Sequence, residues 1–180
     1  EREPFSLLSP GEGPLPPYGF SAAVAGGELY VEVTKQGGLV LEAINSRSAG
    51  TATLSQEEAA ALARDFLASR GYPSMRESYF IDQGGVITIN FASVQGDVLC
   101  YPDLVKVSVA LDTGRVVGFE SEGYLMNHMI RDLPAPAVTE AEAQAVVSPA
   151  LTVLSHQLTV IPSGGEYEVL CHEFRCQDED

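Results

Sequence analysis

The stretch "VSVALDTGRVVGFES", Val107 to Ser121, decides how this chain is read. Val107, Val109 and Leu111 alternate with polar or small residues, and Val116, Val117 and Phe119 make a second short apolar run. Between them stands Asp112-Thr113-Gly114. A D-T-G tripeptide supplies a catalytic carboxylate in aspartic proteases, but that chemistry needs two carboxylates sharing one proton. The aligned place earlier in the chain reads Gln36-Gly37-Gly38 and has no carboxylate, and Arg115 stands where a small residue is usual. An Asp that accepts nearby N–H groups and a Gly that takes positive φ are what a tight turn requires. The stretch therefore reads as a β-hairpin.

That hairpin is repeated. Val31, Val33, Gly38 and Val40 precede Val107, Val109, Gly114 and Val116 by one constant interval. The helix starts repeat as well: "LSQEEA" from Leu54 is echoed by "VTEAEA" from Val138. Ser55 with Glu58, and Thr139 with Glu142, have the spacing of a capping box, in which each side chain satisfies a free backbone N–H of the other residue. After Ser55, Ala59, Leu62, Ala63, Phe66 and Leu67 form one apolar stripe, and Gly71 and Pro73 supply the stop. After Thr139, Val146 and Val147 extend the apolar side until Pro149. Strands are expected at "ESYFID", "VITINFASV", "VLCY" up to Pro102, "LVKVSVAL", "RVVGFES", "LTVLSHQLTVI" and "EYEVLCHEF", the last two around Gly164-Gly165.

The repeat predicts an α+β chain of tandem units, each a helix packed on an antiparallel β-sheet. Residues 1–25, rich in proline, read as an extended tether. Residues 26–53 hold the final hairpin of a partial unit, 54–137 a complete unit plus connector, and 138–180 a third unit that stops before its closing hairpin. The chain begins at Glu1 and is expected to be a fragment cut at both ends.

Composition narrows the function classes. A net charge of −15 and ten scattered Lys and Arg residues leave no basic patch, so neither nucleic acid nor an anionic membrane surface is an expected partner. No apolar run approaches the about 18 residues of a membrane-spanning helix. Cys100, Cys171 and Cys176 cannot all pair within one chain, and the redox compartment stays open. Cys171, His172 and Cys176 in "CHEFRC" could be soft-metal ligands, but no second cluster completes a tetrahedral set, so neither metal nor cofactor is expected. A disulfide between Cys171 and Cys176 would be awkward within one strand. His156 reads as a surface or cross-strand residue. The binding candidates are Asn127, His128 and Arg131 of "GYLMNHMIR", where the second unit joins the third; His128 and Arg131 are expected to bond backbone carbonyls and lock the two units. No catalytic set is assembled, although Asp112 or Asp103 could serve an aspartate-dependent hydrolase.

A helix followed by an antiparallel sheet with such hairpins resembles the PepSY domain. The blocks "GGELYVEVTKQGGLVLEAINSR", "YPDLVKVSVALDTGRVVGFESEGYLMNH", "VTEAEA", "LTVIP" and "EVLCHEF" are similar to the C-terminal region of the YpeB family of spore germination proteins. The resemblance implies tandem PepSY-like units and a non-catalytic protein of the spore inner membrane and cortex region, extracytoplasmic, in a spore-forming bacterium. It implies a protein partner, a SleB-like cortex-lytic hydrolase that the PepSY units restrain or stabilise. A purely structural scaffold is the alternative. The parent protein is expected to be anchored, without membrane contact by the present residues.

Overall fold

The computed structural model describes residues 5–8, 10–164 and 167–178; Glu1–Pro4, Ser9, Gly165, Glu166 and the last two residues of the closing "QDED" lie outside them. Among the described residues one sheet of ten strands carries three helices. The strands are β1 (Ser6–Leu7), β2 (Pro17–Val24), β3 (Gly27–Thr34), β4 (Val40–Asn45), β5 (Met75–Gln83), β6 (Val86–Gln95), β7 (Val98–Ala110), β8 (Arg115–Glu120), β9 (Leu151–Pro162) and β10 (Glu168–Asp178). The helices are α1 (Gln56–Ser69), α2 (Glu122–Asn127) and α3 (Glu140–Gln144). The sheet runs β1-β2-β3-β4-β8-β7-β6-β5, all antiparallel, and β9 adds to β7 in parallel with β10 beyond it.

The quoted hairpin is β7–β8, and its D-T-G is the turn, with Gly114 at φ 68°. α1 fulfils its sequence signals. The Ser55 side chain accepts from the Glu58 N–H, and Glu58 accepts from the Ser55 N–H. At the other end Gly71 has φ 90°, and Tyr72 N–H and Gly71 N–H return to the carbonyls of Leu67 and Ala68, a Schellman closure. Ala59, Ala60, Ala63 and Leu67 are buried against Ile87, Ile89 and Phe91 of β6 and Val105, Val107 and Val109 of β7. Leu62, expected in the stripe, instead lies 38% exposed, near Gly114.

Three expectations are corrected. Residues 17–24 are a strand, not a tether: β2 pairs with β3 over its whole length, from Pro17 opposite Thr34 to Val24 opposite Gly27. Proline is tolerated there because Pro17 is the first residue of its strand. The first unit therefore has more than its final hairpin. "VLCY" and "LVKVSVAL" are not two strands but the single 13-residue β7, with Pro102 inside it. The apolar side of α3 does not extend to Val146 and Val147: the helix ends at Gln144, and Val146 is 85% exposed.

β7 tolerates Pro102 because it is bulged. Leu104 pairs with Ala92 and Cys100 with Ser93, so Tyr101, Pro102 and Asp103 have no partner on β6. A bulge bends its strand and re-aims side chains. Beyond the bulge the other edge of β7 is free of β8, and Val98–Cys100 pair there with Leu158–Val160 of β9. A second small core forms at this corner, Val98, Cys100 and Val160 under Leu133, Leu158 and Leu170.

Candidate functional site: the Asp103 junction and its cleft

The bulge points the Asp103 carboxylate into the corner between the second and third units, where it is fully buried. A buried carboxylate needs charge and hydrogen bonds to hold it there. Arg131 supplies both: Nη1 donates to Oδ2 at 2.8 Å and Nη2 to Oδ1 at 2.7 Å. His128 Nδ1 lies 2.7 Å from Oδ2. The far side of the same guanidinium meets Glu168 of β10, with Nε and Nη2 each 2.7 Å from a carboxylate oxygen. One planar cation thus bridges β7 to β10 by two forked contacts, the geometry for which Arg is suited and Lys is not. Hydrogen bonds to Glu168 and Asp103 raise the Arg131 pKa well above its usual range, and Arg131 in turn holds Glu168 below the usual carboxylate range.

α2 positions the rest. Gly123 allows the helix to press against β7, since a Cβ there would stand 3.1 Å from the Leu104 carbonyl oxygen. Asn127 Nδ2 donates to the carbonyls of Pro102 (3.1 Å) and Gly123 (2.8 Å), closing the bulge from outside. The His128 ring stacks on Tyr124 with centroids 4.2 Å apart. Gln95, the last residue of β6, holds the connector reciprocally, accepting from Arg131 N–H and donating to the Met129 carbonyl. On the opposite flank Tyr101 donates to Glu173 at 3.1 Å; burial, followed by that bond, pushes the phenol up to about 12.

Asn127, His128 and Arg131 are thus brought together. Arg131 donates to the Met129 and Asn127 carbonyls at 3.3 Å, as expected, but its shorter bonds, and that of His128, go to carboxylates, while Asn127 also bonds carbonyls. Sequence reasoning missed Asp103 as the hub and Glu168 as the second anchor. The available signal was an Asp directly after proline inside an apolar run, a place where a charge survives only if paired.

The other candidates lie elsewhere. Asp112 accepts from the Arg47 guanidinium through both oxygens and from Gly50 N–H at 2.8 Å, so its bonds are not only local to the turn. These bonds, the Arg47 guanidinium first, hold its carboxyl far below the ordinary range and clamp the 46–54 linker onto the β7–β8 turn. Cys100, Cys171 and Cys176 are free thiols, and burial pushes the Cys100 thiol up. Among the described residues no group of three or more His, Cys, Asp and Glu side chains is placed to hold a metal ion. His156, expected at the surface or across a strand, meets His172 of β10 at 2.8 Å.

Above the ion cluster opens a cleft of about 770 Å³. Tyr72, Met75, Val94, Val98 and Leu158 give it apolar walls, and His128 and Arg131 form part of its lining. Ile130, 92% exposed, stands at the rim beside the exposed Met129. Chemically the corner is one guanidinium shared between two carboxylates beneath an accessible apolar lip. Both Asp103 oxygens are engaged, Oδ1 by Arg131 and Oδ2 by Arg131 and His128.

The chain matches a family model described as YpeB sporulation, PepSY1 and PepSY2 domains, over residues 9–134. The sporulation protein YpeB of Halalkalibacterium halodurans is 35% identical over 147 residues, covering 81% of this chain and 32% of that protein. The protein of the same name from Bacillus subtilis is 33% identical over 149 residues, 81% of this chain and 33% of its own length. The chain thus spans about a third of the length of these curated relatives. The solved Bacillus megaterium YpeB C-terminal domain superposes with a TM-score of 0.89 at 24% identity, over 99% of this chain and 80% of that one, which establishes the α+β fold.

Proposed function

The chain belongs to the YpeB family of sporulation proteins, and from that premise we propose that it is a non-catalytic germination protein whose PepSY units bind and restrain or stabilise a SleB-like cortex-lytic hydrolase. It acts outside the cytoplasm of a spore-forming bacterium. The relatives carry the name of a sporulation protein and not of an enzyme. The observation that carries the reading is the junction itself: Arg131, Asp103 and Glu168 are spent on one another, and what faces outward is a mostly apolar cleft, with Asp97 in its lining and Met129 and Ile130 at its rim. Such a surface suits a protein segment better than a reacting substrate. The aspartate-hydrolase alternative has little support, since Asp103 and Asp112 are each held by an arginine.

Calorimetry of this chain with the SleB-like hydrolase of the same organism, with cortex digestion followed in parallel, tests the proposal. Binding with altered digestion, weakened about tenfold or more by Ile130→Asp, is the expected result. No binding would remove these units from the partner interface.

A further inference from the structure

His156 and His172 belong neither to the Asp103 junction nor to its cleft. They stand on neighbouring strands, with His156 opposite Phe174 and His172 opposite Leu158 in the β9–β10 ladder. Their nitrogens, His156 Nε2 and His172 Nδ1, are 2.8 Å apart, with ring centroids 5.0 Å apart and an interplanar angle of 25°. That combination places the rings nearly edge to edge, as an N–H···N hydrogen bond requires. The other nitrogen of His172, Nε2, lies 2.7 Å from the Val138 carbonyl, at the entry to α3. The other nitrogen of His156, Nδ1, lies 3.4 Å from Glu140 Oε2 on α3.

The tautomers follow from these partners. A carbonyl only accepts, so His172 carries its proton on Nε2, and its Nδ1 must accept. His156 therefore donates from Nε2. One added proton fits this chain, on His156 Nδ1 facing Glu140. A second does not: protonating His172 Nδ1 sets two N–H groups and two positive charges against each other. Among the described residues Glu140 is the charged group within ion-pair reach of either ring. Glu142 is engaged in its capping box, Glu173 is turned to Tyr101, and the residues next to His172 on the same face of β10 are Leu170 and Phe174. α3 buries no residue, so these contacts are a large part of what seats it.

We infer that His156 and His172 form a proton-sensitive latch that seats α3 on the β9–β10 hairpin and opens when both rings are charged. The latch makes the seating of α3 depend on acid, whereas α1 of the second unit is seated by apolar burial.

Imidazole ¹⁵N NMR on the whole chain tests it. At pH 7.5 a coupling across the hydrogen bond between His156 Nε2 and His172 Nδ1 is expected, with His172 protonated on Nε2. On acidification to pH 5 the coupling should vanish. Exchange at the Ala143 amide, which donates to Thr139 in α3, should rise ~5-fold or more after correction for intrinsic rates. His156→Phe removes the opposing proton while leaving His172 on Val138, so α3 should stay protected at both pH values. His172→Phe should expose it at both. Absence of the coupling at pH 7.5, or the same acid response in His156→Phe as in the parent, would overturn the latch.

Discussion

Ser55 with Glu58 and Thr139 with Glu142 close the same reciprocal pair of hydrogen bonds, yet α1 runs for 14 residues and α3 for five. The second unit lays Ala59, Ala63 and Leu67 on a broad sheet, and each further turn of α1 buries more apolar surface. The third unit offers α3 two strands, and no residue of the helix itself is buried. A cap starts a helix, and burial decides how far it goes. The third unit is tied on by the short β7–β9 ladder, the small Val98–Cys100–Val160 core and the Arg131 bridge, and its helix by the histidine pair.

The comparison breaks if the polar ties prove dispensable. Arg131→Met leaves Asp103 buried without its cation and should destabilise the chain by about 3–5 kcal/mol, read from urea unfolding. Leu67→Ala attacks the second unit through its own currency and should cost about 2–5 kcal/mol, with α1 protection lost together with the core. The two caps sharpen the contrast. Ser55→Ala should cost about 1 kcal/mol globally. Thr139→Ala should leave the global midpoint within about 0.5 kcal/mol and raise exchange in α3 alone, because little else depends on that helix.

The smallest effect is a pH slope. Glu168 is held below its ordinary value of 4.5 by Arg131, so its contribution is fully present above that value and is lost as the pH falls through the lower folded value. Unfolding midpoints between pH 5 and 3 should fall more steeply in the parent chain than in Arg131→Met. Equal slopes would mean that the bridge to β10 contributes nothing.

Much of the fold was legible because its signals are local. A capping box needs four consecutive residues, a Schellman closure needs a glycine, and a hairpin needs alternation on either side of a turn. The repeat then assembled these pieces into α+β units. What escaped depends on partners distant in sequence. β2 is hidden by the prolines around its start, since only pairing with β3 shows that Pro17 opens a strand. The bulge at Tyr101–Asp103 was read as a strand end, because a proline that stops a strand and one that bends it look alike. Once the bend is missed, Asp103 has no reason to face Arg131, and Glu168 has none to be near either. Asn127, His128 and Arg131 were legible as a polar group on a connector, but their shared acceptor was not.

The short parallel ladder between Val98–Cys100 and Leu158–Val160 carries a consequence for biogenesis. Its two halves lie far apart in the chain, with the β7–β8 hairpin, α2 and α3 between them. A chain made from its N-terminus completes α1 and β5–β8 while β9 is still to come, and during that interval the free edge of β7 beyond the bulge stands open. Contacts that close such long loops form late. Pro102 and the inward-turned Asp103 flank that waiting edge, a proline and a charge that make it a poor template for any strand other than its own.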